Sequence, residues 1–187
     1  MNSSNHISAL GLTASIWGIA GFFVLIAFAL VNLSRISLDA LTQPFSPLQW
    51  AVLLINIVFM AYSEGYKGFQ KSYSPRLAAR AKYLAKHSSV FQCIFAPLFC
   101  MGFFHAPKKR IITSVLLFIM IVIFVLSFRL LPQPWRGILD AGVVVGLTWG
   151  LIATAHSCLM AFTQPQWQVD PEVQMGQKLF SINPKSV

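Results

Sequence analysis

Acidic residues are scarce. The chain has 187 residues, with five Asp and Glu against fourteen Lys and Arg, and charged residues of both signs make up only 10% of it. A soluble domain usually carries about a quarter charged residues and no more than half apolar ones. Here the hydrophobic share is 56%, so too little polar side chain is available to cover a water-facing surface. That excludes a soluble globular enzyme, a disordered regulator and a secreted disulfide scaffold. Cysteine is equally sparse: Cys93, Cys100 and Cys158 form no CxxC pair and no even-numbered framework, which leaves a redox or zinc-ribbon role without support from spacing. No GxSxG elbow, Gly-rich phosphate loop or internal repeat occurs, so neither nucleophilic hydrolysis nor nucleotide binding has a motif.

What the chain does have is long apolar runs. A crossing helix needs about 20 mostly apolar residues to span ~30 Å of hydrocarbon. Four runs meet that need, and they predict helices over 9–33, 48–64, 111–130 and 137–162. A fifth stretch, 90–104, is too short and holds Pro97 at its centre, which suits a half-inserted, re-entrant or interfacial segment. The reading is an all-α integral membrane protein with four transmembrane helices, a short re-entrant or interfacial hairpin and an inner-face amphipathic helix. Residues 1–162 form one polytopic membrane domain, and 163–187 a short cytoplasmic tail. The first helix lacks a basic n-region and its apolar run exceeds that of a signal peptide, so it reads as an uncleaved anchor.

A net charge of +9 would suggest nucleic acid in a soluble protein. Here the basic residues cluster between the apolar runs, and no nucleic-acid partner is expected. Lys67, Lys71, Arg76, Arg80, Lys82 and Lys86 fall in the basic loop 65–89; Lys108, Lys109 and Arg110 follow the doubtful segment. If 90–104 dips and returns, all nine face the cytoplasm, as the positive-inside bias prefers. Both termini are then cytoplasmic, with outer loops at 34–47 (carrying Arg35 and Asp39) and 131–136. A bacterial inner membrane is the simplest location. These nine residues are expected to contact anionic lipid headgroups or an acidic partner. Ser74-Pro75 reads as an N-cap with proline at the first helical position. It would open a basic amphipathic helix whose Leu77, Ala81, Leu84 and Ala85 lie in the membrane interface.

Gly142, Gly146 and Gly150 lie at spacing four on the last helix, and Ala14 and Gly18 form a smaller pair on the first. Small residues on one face let helices approach closely in lipid, so these five are the candidate packing or partner face. Asp140 lies one turn after Arg136 and is expected to pair with it. Glu64 closes the second run; it either pairs with Lys67 or faces inward on a proton or cation pathway. His87, His105 and His156 could ligate a metal or haem, but no HxxxH, HExxH or CxxC spacing supports this, and no cofactor is expected. Asp170-Pro171-Glu172 resembles a helix start in the tail, and a brief helix to about Ser181 would place Val173, Leu179 and Phe180 partly on one side. The leading functional expectation is a non-catalytic accessory or scaffold subunit of a larger membrane complex, partnered by other integral subunits or by copies of itself. A small transporter or channel protomer is the alternative, and a metal- or haem-binding membrane protein the third.

Overall fold

The computed structural model describes residues 9–87, 89–164, 166–167 and 169–173. Among the described residues seven α-helices follow one another: α1 (Ala9–Leu41), α2 (Pro47–Met60), α3 (Ser74–Lys86), α4 (Val90–Ile94), α5 (Ala96–Cys100), α6 (Lys108–Phe128) and α7 (Trp135–Thr163), with a π-helical segment, Ala61–Tyr73, joining α2 to α3. Four helices are long and apolar enough to cross a membrane: α1, the continuous Pro47–Lys86 helix, the Ile111–Phe128 run of α6, and α7. The chain is thus a multi-pass α-helical membrane protein.

α1 continues past the expected boundary at residue 33, so most of the expected outer loop is helix. Arg35 and Asp39 sit on its exposed side, and nothing between them breaks the helix; the stop comes with Pro44 and Pro47. α2 then opens on a capping box, Ser46 and Gln49 satisfying each other's backbone N–H groups, with Pro47 in the first turn.

The second correction is larger. Ser74-Pro75 starts no new helix: Ser74 has helical dihedrals (φ −60°, ψ −44°) and its N–H bonds to Phe69 O, five residues back. An interior proline normally clashes with the carbonyl four residues before it. The wider π turn relieves that clash. The helix therefore runs unbroken from Pro47 to Lys86. Its last part is sheltered by the protein: Leu77, Ala78, Ala81, Leu84 and Ala85 are buried in one cluster with Phe22, Phe99, Cys100 and Cys158. The face expected to rest on lipid packs on α1, α5 and α7.

Contacts fix the helix directions. Gly137 at the start of α7 packs on Ala40 and Ile36 near the end of α1, so these two are antiparallel. Asn56 meets Gly142 and Ser74 meets Thr154, so the long helix runs parallel to α7. Gly18 and Gly21 of α1 press on Ala96, Pro97 and Cys100, which places α4 and α5 at the end where α1 begins. With five residues each, α4 and α5 are too short to cross. α6 leaves from this end and reaches α7 at the other. Trp167 and Val173 also pack against the cluster beside α3, so both described ends of the chain lie together. Asp170–Glu172 is not helical; Asp170 accepts the Glu172 N–H in a local turn, and the remainder of the helix expected to about Ser181 lies outside the described residues.

Candidate functional site

The geometry concentrates polar and charged side chains along the seam between the long helix and α7, and at the end where α3, α5 and the tail meet. In the seam, the three glycines of α7 each receive a different residue. Asn56 lies against Gly142 and donates through Nδ2 to Ile138 O at 2.9 Å and Leu139 O at 3.2 Å. A Cβ on Gly146 would lie 3.2 Å from Glu64 Cβ, and one on Gly150 2.6 Å from the Phe69 ring. The Ser74 and Thr154 hydroxyls then meet at 2.8 Å, with Thr154 donating to Gly150 O.

From Glu64 onward, residues 64, 69 and 74 face 146, 150 and 154. A five-residue step on the π-helical side matches a four-residue step on α7. The π turn therefore sets the register of the seam, and the glycines are occupied by this chain's own helix. Gly18 is likewise filled from within, a Cβ there falling 2.7 Å from Cys100 Sγ, and Ala14 is buried in the same cluster. Trp149 covers Gly65 and donates its Nε1–H to Gln70 at 2.8 Å.

Glu64 does not pair with Lys67. Its carboxylate turns toward Gly146, an oxygen lying 3.3 Å from where a Cβ would stand. The Lys67 ammonium instead sits 5.3 Å from the Tyr62 ring centroid. At the far end of α7, Arg136 Nε and Asp140 Oδ2 approach to 3.8 Å, and Asp140 is buried. Gln133 closes that end, donating to Ile36 O and accepting from Gly137 N.

The basic residues separate into different environments. Lys67, Lys71, Lys86 and Lys108 are exposed, and Lys109 and Arg110 continue the first turn of α6. Lys82 is half-buried with its ammonium 5.8 Å from the Trp167 ring, and Arg76 bonds the Ser72 hydroxyl. Arg80 departs from the expected headgroup contact altogether. It is 3% exposed, donates to Phe104 O at 2.8 Å and His105 O at 3.2 Å, and lies 4.6 Å from the Phe99 ring centroid. It ties the turn between α5 and α6, where Gly102 (φ +86°) and His105 (φ 52°) adopt left-handed backbone, to the core of the molecule.

The three histidines are dispersed over different elements. His87 stacks on Tyr83 at the end of α3, His105 packs edgewise on Phe104, and His156 is exposed on α7. Among the described residues no group of three His, Cys, Asp or Glu side chains gathers as a metal set.

Sequence reasoning missed the paired rings of Tyr62 and Tyr66, the Trp149–Gln70 bond and the partners of Ser74. The ring pair stands at spacing four and was open to helical periodicity, whereas the other two are contacts across the seam, which no local spacing reveals. The fold defines the class, a polytopic helical membrane protein. No protein family, no curated protein and no solved structure matches the chain.

Proposed function

We propose that the protein is a non-catalytic accessory or scaffold subunit of a larger membrane assembly. The observation that carries this reading is α6. Among the described residues it runs along no other helix, and no residue of its apolar run is buried within the chain. Its points of approach lie in its first half, up to Phe118 midway along the helix, which meets Phe103 edge-on at 6.3 Å. The sequence gives a reason: α6 has neither Gly nor Ala, whereas α1 and α7 approach their neighbours through small residues, the device that drives close helix packing in lipid. A helix of bulky Ile, Val, Leu and Phe, tethered at both ends and exposed from residue 119 to 127, is suited to a partner's surface. In this proposal the basic end faces the cytoplasm of a bacterial inner membrane, with α4 and α5 dipping into the inner leaflet; exposed Val90, Phe91, Ile94 and Leu98 support that placement.

The test is isolation from native membranes in mild detergent at natural abundance. Other integral proteins at fixed stoichiometry are the expected result. A chain recovered alone or only with itself would count against the heteromeric assembly. A second reading, a small transporter or channel protomer, draws on Glu64, whose carboxylate faces α7 in the seam. It predicts that Glu64→Gln abolishes a flux while leaving the assembly intact.

A further inference from the structure

We propose that Tyr62, Tyr66, Lys67 and Lys71 form a binding site for the headgroup of an anionic phospholipid. The four lie on the outward side of the π-helical segment. The Tyr62 and Tyr66 rings stack at 6.0 Å between centroids, 24° from parallel. The Lys67 ammonium lies 5.3 Å from the Tyr62 centroid and that of Lys71 lies 4.7 Å from Tyr66. Each lysine is five residues after its ring, the spacing at which π-helical side chains become neighbours. In an α-helix the same residues would diverge. The π turn thus assembles two cations beside two aromatic rings, each ammonium steadied by a ring face.

The position of the ladder selects the occupant. Leu54, Ile55, Val58 and Phe59 are all exposed on the preceding turns, forming the lipid-facing stripe of α2, and Tyr62, itself exposed, ends it. The two ammonium groups follow within the next turns, where apolar surface gives way to charge. Tyrosine favours the headgroup level and lysine reaches toward it with its stem along apolar surface. Two cations at that depth complement a lipid phosphate whose acyl chains lie along the stripe. A soluble polyanion would gain nothing from the stripe, and an acidic protein would have to enter the bilayer to reach it. The site also separates Lys67 and Lys71 from the other basic residues, for Arg80 is buried and Lys82 lies at Trp167.

The experiment uses the full chain in a neutral detergent, titrated with phosphatidylglycerol and with phosphatidylcholine as the uncharged comparator, bound lipid being counted by native mass spectrometry. Wild type is expected to prefer phosphatidylglycerol. Lys67→Gln or Lys71→Gln should weaken that preference about fivefold, and the double variant on the order of twenty-five-fold. Tyr62→Leu with Tyr66→Leu keeps both charges and should lose part of the same preference. Lys86→Gln, exposed but outside the ladder, should change nothing, and excess inorganic phosphate should leave the lipid bound. An unchanged preference in the double lysine variant, an equal loss in Lys86→Gln, or displacement by inorganic phosphate would each overturn the proposal.

Discussion

At the residue scale, two side chains show how position overrides type. Arg80 stands in a run with Arg76, Lys82 and Lys86 and reads as one more surface charge. Its burial is foreshadowed only by its neighbours: Ala78, Ala79 and Ala81 surround it, and small residues let adjacent helices close over a long side chain whose head reaches carbonyl groups. Arg80→Met should cost about 1.5–3 kcal/mol, the usual scale for hydrogen bonds to a charged group. Thermal unfolding in detergent measures the loss, and proteolysis at 101–107 should quicken as that turn loses its tie. Gly142 is the converse. Its place on a small-residue face was legible from spacing four, but Asn56 as the occupant was not, since nothing in a local pattern names a residue on another helix. Gly142→Leu would drive its side chain into Asn56, and overpacking of this kind costs about 1–3 kcal/mol. The expected result is a lower unfolding temperature; an unchanged one would mean the seam can open there freely.

At the scale of elements, the π-helical segment decides the geometry. The apolar runs that make the spanning helices were legible because about 20 apolar residues have few alternatives in a membrane protein. The continuation from Glu64 to Lys86 was not, because hydropathy falls while the helix persists, and Pro75 carries the usual mark of a helix start. The π turn removes the steric objection to an interior proline and resets the register by five-residue steps. Ser74 and Thr154 report on that register. A double-mutant cycle with Ser74→Ala and Thr154→Ala should give a coupling of about 0.6 kcal/mol, the typical scale of interhelical hydrogen bonds in membranes. Deleting Gly68 makes the step from Glu64 to Phe69 four residues, which an α-helical turn spans, so the two hydroxyls should still meet and the coupling should persist. Loss of the coupling on this deletion would contradict the matching of five-residue π steps to four-residue steps on α7.

At the scale of the molecule, α1, α7 and the long Pro47–Lys86 helix form one packed unit, closed at the basic end by α4, α5 and the tail, and α6 stands beside it. The number of crossings could be read from the sequence, and the common position of the two described ends follows from it. The isolation of α6 was signalled only by its lack of Gly and Ala, because an apolar run otherwise looks the same whether lipid, its own chain or another subunit covers it. The proposed role as an accessory subunit depends on what lies against that helix in the native membrane. The most direct measurement places a photo-crosslinking residue at Leu116, Phe118, Ile119 or Ile123 of α6, and at Val24 or Phe28 of α1 as lipid-facing comparators, each expressed at natural level. A discrete crosslinked product of constant size from one side of α6, absent from the α1 positions, is the expected result. Crosslinks to lipid alone from every α6 position would contradict the proposed role.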